Sequence, residues 1–273
     1  MNALALAGSI TDGEFRDLRG WIHRQAGIHL SDQKKALVCG RLAPRMRHYR
    51  LTRFADYYQL LRGGAHPGEP QLAVDLLTTN ETHFFREPRH FEFVRDQIVA
   101  GHRACGRPLR AWSAACSSGE EPYSLAMTLA GAMGDLPWEV LGSDLSSRML
   151  ERARSAHYPL ARARSIPREH LLAHCLRGTG AHEGTFIVAP PVAQRVHFLQ
   201  VNLNEALPRV GQFDLVFLRN VMIYFDAPTK QQVVGRILAC LRPGGHLVIG
   251  HSESLATLGC GLRAIAPSVY CKP

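Results

Sequence analysis

The segment AWSAACSSGEEPYSLAM, Ala111–Met127, sets the architecture of the larger part of the chain. An apolar run ending near Ser113 reads as a strand, and the small residues through Gly119 as a tight loop. Pro122 and the apolar positions after it read as the first turns of a helix. Strand, loop and helix in this order open a parallel α/β sheet, whose ligands bind at the carboxyl ends of the strands. A helix N-terminus there favours anions. Glu120 and Glu121 nevertheless follow the glycine at once and would repel a pyrophosphate. The expected ligand therefore carries a cationic group such as an ammonium. Two acids at a helix start are also ordinary capping chemistry, and both readings stand.

Beyond this unit, strand and helix patterns alternate from Arg110 onward. Strands are expected at Leu109–Ala114, Glu139–Ser143, Val196–Val201, Phe213–Leu218 and His246–Gly250, with helical patterns after the first, second and fourth. That rhythm predicts an α/β fold with a mainly parallel sheet covered on both faces. Leu262–Ile265 and Ser268–Lys272 are expected to close the sheet as an edge pair. Tyr158 to Arg195 breaks the rhythm, and RGTGAHEGTFIV within it reads as an inserted hairpin.

From Thr11 to about Leu77 the pattern is helical. Phe15, Leu18, Trp21 and Ile22 recur at helical spacing, as do Phe54, Tyr57, Tyr58, Leu60 and Leu61. Ser31 or Asp32 is placed to cap a helix through QKKALVCGRLAPRMRHY, which Pro44 should bend, with Gly40 one turn earlier easing the bend. RGGAHPGEP, Arg62–Pro70, reads as a loop. The expected organisation is an all-helical domain over 1–77 and an α/β domain over 78–273.

Composition sets limits. The 273 residues are 46% hydrophobic, ample for a buried core and too apolar for disorder. No apolar run of about 18 residues suggests a membrane span, and MNALALAGS lacks the basic start of a signal peptide. The seven cysteines are scattered without a CxxC pair, which fits reduced thiols in the cytoplasm. The fourteen histidines contain no HExxH motif, and no metal role is expected. The net charge of +9 implies an acidic partner. Lys34, Lys35, Arg41, Arg45, Arg47, Arg50 and Arg53 occur in one stretch without an acid. Such a run is most often a solvated helix face, but its single sign favours docking of something anionic.

The second strand ends EVLGSD at Asp144, about 24 residues after Glu120, where an acid can accept both hydroxyls of a ribose. Capping the helix that follows is the plainer role. A ribose and an ammonium without phosphates describe S-adenosylmethionine, whose sulfonium adds a positive charge. TTNETHFFREP, Thr78–Pro88, sets Asn80, Thr82 and Arg86 around two phenylalanines, more than an N-capped helix start needs. FDLVFLRNVMIYF, Phe213–Phe225, is a buried strand whose carboxyl end offers Arg219 and Asn220, with Tyr224 a turn later. VNLNE, Val201–Glu205, ends the third strand with Asn202, an adenine reader or a turn residue. LRPGGHLVIGHSESL reads as a helix end, a Pro-Gly-Gly turn and a strand, mostly architecture.

Taken together, TTNETHFFRE, WSAACSSGEEPYSLAM, GSDLS, VNLNE, FDLVFLRNVMIYFD and LRPGGHLVIGHSESL resemble the CheR family of chemoreceptor glutamate methyltransferases. The resemblance runs in order over nearly the whole chain and includes GIHLSDQKKALVCGRL in the helical part. It implies a helical N-terminal domain and a Rossmann-like class I methyltransferase sheet carrying an inserted antiparallel β-subdomain at about 160–195. It also implies methyl transfer from S-adenosylmethionine to glutamate carboxylates on the cytoplasmic helical bundle of chemoreceptors, giving methyl esters and S-adenosylhomocysteine.

Carried over motif by motif, Asn80, Thr82 and Arg86 lie at the cofactor, Glu120 or Glu121 holds its ammonium, and Asp144 holds the ribose. Asn202 with Leu203, and Arg219 with Asn220, complete the adenosine pocket. Arg86 and Tyr224 are nearest the transferring methyl. The basic run becomes a docking face for glutamate-rich receptor helices. The β-subdomain offers a second contact for a receptor C-terminal peptide, although TFIVAPP follows Gly184 where basic side chains are expected. Nothing in the sequence demands more than a monomer; the thiols fit the cytoplasm, with recruitment to receptor arrays, and no basic groove with interleaved aromatics or zinc module suggests nucleic acid. A methyltransferase of nucleic acid, the rival enzyme, would show a D/N-P-P-Y type motif where this chain has RNVMIYF. A catalytically silent cofactor-binding adaptor would show decay at the site, and none is visible.

Overall fold

The computed structural model describes residues 10–103 and 106–273; MNALALAGS and Cys105 lie outside them. The described residues divide into two compact units, one up to Thr79 with Tyr224–Thr229, the other Asn80–Ile223 with Lys230–Pro273.

In the first unit, α1 (Asp12–Ala26) opens on a capping box in which Thr11 and Glu14 satisfy each other's backbone N–H, and it ends at Gly27 in the left-handed region. Phe15, Leu18, Trp21 and Ile22 fall on its buried face. Neither Ser31 nor Asp32 caps the next helix. A 3-10 turn, Asp32–Lys34, intervenes, Ser31 makes no side-chain cap bond, and Asp32 accepts from Arg19 at 2.8 Å instead. Helix α2 (Lys35–His48) carries Pro44 in its interior and buries Val38, Leu42 and Met46. Helices α3 (Phe54–Arg62) and α4 (Glu69–Leu77) complete the bundle, with Phe54, Tyr57 and Leu61 in the core. The Tyr224–Thr229 segment belongs here because its backbone is tied in. Phe225 bridges Ile28, the His29 N–H donates to the Tyr224 carbonyl at 2.8 Å, and His23 pairs with Asp226 at 2.9 Å.

The second unit begins with α5 (Arg89–Phe93), a π-helical turn Val94–Val99 and α6 (Ala100–His102). Then follow β1 (Leu109–Ser113), α7 (Glu120–Met133), β2 (Trp138–Asp144) and α8 (Ser147–Ser155). The inserted part holds β3 (His157–Pro159), α9 (Arg168–His174), β4 (Cys175–Arg177) and β5 (Thr185–Val188). After it come α10 (Pro190–Ala193), β6 (Val196–Gln200), β7 (Phe213–Leu218), α11 (Ala227–Cys240), β8 (Leu241–Ile249), β9 (Arg263–Ala266) and β10 (Val269–Cys271).

The main sheet runs β6-β2-β1-β7-β8-β10-β9. The five strands from β6 to β8 are parallel, and β10 runs antiparallel to both β8 and β9. Strand order therefore reverses between β1 and β7, which opens a crevice at their carboxyl ends. All six residues of β7 are buried, the mark of a central strand covered on both faces. The inserted subdomain is a three-stranded antiparallel sheet, β3-β5-β4, and starts at His157, where β3 pairs with β5. Strand β8 starts at Leu241 rather than after the Pro-Gly-Gly. Leu241 pairs with Phe213 and His246 with Leu215, so the intervening residues form a bulge instead of a turn.

Candidate functional site

The loop from β1 to α7 lies at the carboxyl end of the central strand. Gly119 has φ of 96°, and a Cβ there would sit 2.8 Å from the Tyr158 hydroxyl and 2.9 Å from the Ala153 Cβ. The glycine thus serves both the turn and the close packing of loop against α8 and β3. Asp144, at the end of β2, accepts the Ser117 N–H at 2.8 Å and the Ser146 N–H at 2.9 Å, joining two loops. It does not cap α8: Ser146 does, accepting from the Met149 N–H. Both of its oxygens are thus engaged by backbone amides at the meeting of the two loops.

The two glutamates at the start of α7 face different neighbours. Glu120 is 1% exposed, and its carboxylate takes the Ser118 hydroxyl and lies 3.4 Å from Arg162. Glu121 is partly exposed. It accepts the Ser113 hydroxyl at 2.7 Å and Arg219 at 2.9 Å, spanning the ends of β1 and β7. Burial raises the proton affinity of both, opposed by the Ser118 bond at Glu120 and by Arg219 at Glu121. Each carboxylate thus has an arginine beside it, yet burial outweighs that attraction.

Arg219 is the hub of the β7 end. Its side chain is fully buried, pairs with Glu121 and, at 3.1 Å, with Glu87, and donates to the Arg86 carbonyl. It lies over the rings of Phe91 and Phe217, and its Nε has no hydrogen-bond partner. Asn220 has φ of 57°, and its N–H donates to Glu253 at 2.8 Å. Arg219 and Asn220, read from sequence as adenosine residues, are thus held in an internal polar network. Asn202 has its side chain in a turn, donating to Glu205 and accepting the Asn204 N–H; Leu203 is buried.

The Thr78–Pro88 segment is anchored through its backbone. The Asn80 carbonyl accepts the Ser117 hydroxyl at 2.9 Å, the Thr82 carbonyl accepts from Arg162 at 2.8 Å, and the Phe85 N–H donates to Ser124. Arg86 donates to the Glu81 carbonyl at 3.0 Å within the same loop. Phe84 and Phe85 are buried, and Phe85 and Glu87 both have positive φ, a costly backbone for such residues. Arg86 lies in the α/β unit and Tyr224 in the helical one.

Sequence reasoning missed Glu87 and Glu253. Glu253 accepts the N–H groups of Gly250, Asn220 and Met222, each at 2.8 Å, and so braces the chain after β7. Its position in GHSES was the available signal.

The basic run divides into two kinds of residue. Lys35 pairs with Asp12 at 2.6 Å, and Arg41 donates to the carbonyls of Leu77 and Thr78. Arg45 makes a two-pronged bond to the buried Glu69, which also accepts from Tyr57 and Tyr49. Arg41 and Arg45 tie the bundle together, while the Lys35 pair lies on its surface. Lys34, Arg47, Arg50 and Arg53 are exposed.

A mostly parallel sheet in this strand order, with acids instead of a phosphate loop at the start of α7, is the build of a class I S-adenosylmethionine-dependent methyltransferase. The family model described as the CheR methyltransferase SAM-binding domain matches residues 80–265, and that of the CheR methyltransferase all-alpha domain matches 13–78. The chain is 42% identical over 265 residues to a chemotaxis protein methyltransferase of Escherichia coli (strain K12), covering 96% of this chain and 91% of that one. It is also 42% identical over 263 residues to chemotaxis protein methyltransferase 2 of Pseudomonas aeruginosa, covering 95% and 93%. The chain belongs to the CheR methyltransferase family, and S-adenosylmethionine is its cofactor. Among the described residues, no helix is long and apolar enough to cross a membrane.

Proposed function

We propose that the protein methylates glutamate side chains of chemoreceptor cytoplasmic domains, acting in the cytoplasm as an adaptation enzyme of a chemosensory system. The observation that carries this reading is the pair of largely buried acids at the start of α7 beside a glycine-turned loop. When bound, S-adenosylmethionine supplies a methyl on a sulfonium, which a carboxylate oxygen takes in one in-line displacement.

Glu121 is our choice for the cofactor's ammonium. It keeps some exposure and faces the crevice through Ser113 and Arg219, whereas Glu120 is turned toward Ser118 and Arg162. Asp144, at the carboxyl end of β2, accepts the ribose hydroxyls. Asn80, Thr82, Asn202 and Leu203 border the nucleoside through backbone and turn atoms, and Arg219 with Asn220 holds that edge rigid. No residue has to act as general base, because a glutamate with a reference pKa near 4.3 is ionised at neutral pH. The charges of the attacking carboxylate and the sulfonium disappear in the transition state, so a partly dry site assists. Arg86 aligns the carboxylate.

The helical domain 1–77 is proposed as the receptor-docking part, through Lys34, Arg47, Arg50 and Arg53. The β-subdomain is proposed as a second receptor contact. The test is calorimetric titration with S-adenosylhomocysteine beside a receptor methylation assay. Glu121→Gln should weaken cofactor binding about ten- to hundredfold, the worth of a charge-assisted bond, while Glu120→Gln weakens it less. The reverse order would reassign the ammonium to Glu120.

A further inference from the structure

We infer that Glu87, His90 and His251 form a site for one divalent transition cation of the zinc class. Ligand atoms of the three converge to within 4.8 Å of one another. The His90 Nδ1 lies 3.4 Å from the Glu87 Oε2, and the His251 Nε2 lies 3.9 Å from the same oxygen. Zinc with bonds of about 2.0–2.2 Å sets tetrahedral ligands roughly 3.3–3.6 Å apart. The first pair is already at that spacing, and the second is within reach of a small rotation.

A second, independent observation points to a ligand. His90 is 2% exposed, and neither of its ring nitrogens has a hydrogen-bond partner. A buried imidazole left so is uncommon and costs free energy. Its ring meets that of His251 edge-on, with centroids 4.8 Å apart. Half of the His251 side chain is exposed, which leaves a route for the ion and a fourth position for water.

Arg219 also reaches Glu87, at 3.1 Å, and its charge opposes a cation. It keeps Glu121 and the Arg86 carbonyl as partners if Glu87 turns to a metal. Two imidazoles and one carboxylate favour zinc over magnesium or calcium, which prefer all-oxygen sites. The bound ion would pin the positive-φ segment at Phe85 and Glu87 to the loop after β8. Sequence spacing hides the site, because His251, in the loop after β8, lies 161 positions from His90 on α5.

The experiment strips the full chain of metal with a chelator and titrates it with zinc chloride alone against a chromophoric zinc competitor. The expected result is one zinc per chain, with affinity at least about tenfold weaker in His251→Ala, an exposed substitution that leaves the fold intact. Zinc should raise the melting temperature of the wild type and not of that variant. His174→Ala, on α9, should behave as wild type; its neighbour His170, four residues away, offers the competing histidine pair. Absence of saturable binding, or affinity unchanged in His251→Ala, would overturn the proposal.

Discussion

Gly119 and Glu121 show how far a single position can be read. Both stand out in the sequence, but their partners do not. Glu121 takes Arg219 from 98 residues away, and Gly119 is held by Tyr158 and Ala153. A linear motif names the groups; only the strand order brings the partners to them. Gly119→Ala, forced into left-handed backbone against those neighbours, should cost about 1–3 kcal/mol, read as a lowered denaturant midpoint. Glu121 also predicts a pH dependence. Its folded proton affinity is raised above the ordinary value of 4.5, first by burial. Its contribution to stability is therefore full below about pH 4.5 and is lost as pH rises through the raised value. Cofactor affinity should move the opposite way, since the ionised form attracts an ammonium, and rise with pH over the same window. Glu121→Gln should flatten both curves. Titrations of wild type and variant from about pH 4.5 upward check this.

Helices and strands are legible where burial is one-sided or complete. The apolar stripe of α1 and the all-buried β7 show themselves, whereas the three-residue strands β3 and β4 carry too few side chains to show a period. The start of α2 is hidden because Ser31 looks like a cap, while the chain takes a 3-10 turn first. Within α2, a Cβ added at Gly40 would meet nothing within 4 Å, so Gly40→Ala should stabilise the helix by about 0.5–1 kcal/mol in chemical denaturation. The basic run of this element separates by partner. Arg45→Ala would strand the buried Glu69 and should cost about 3–5 kcal/mol. Arg47→Glu with Arg50→Glu, on exposed positions, should leave stability and cofactor affinity near wild type and raise the KM for receptor roughly tenfold. Equal loss of cofactor affinity would remove these residues from the docking face.

Taken whole, the molecule couples a net charge of +9 to a site that is locally acidic. The two charges serve different ligands, a glutamate-rich receptor and a cationic nucleoside. Raising salt should therefore weaken receptor capture more steeply than cofactor binding, since the exposed arginines are screened and the buried glutamates are not. The most direct measurement is the chemistry of the transferred methyl. Methyl-labelled S-adenosylmethionine is incubated with the protein and a soluble chemoreceptor cytoplasmic fragment, and the labelled fragment is then treated with mild alkali. Release of the label as volatile methanol, mapped to glutamate side chains, is the predicted result. Label that survives alkali, or a receptor fragment left unlabelled by protein that binds cofactor, would contradict the assignment.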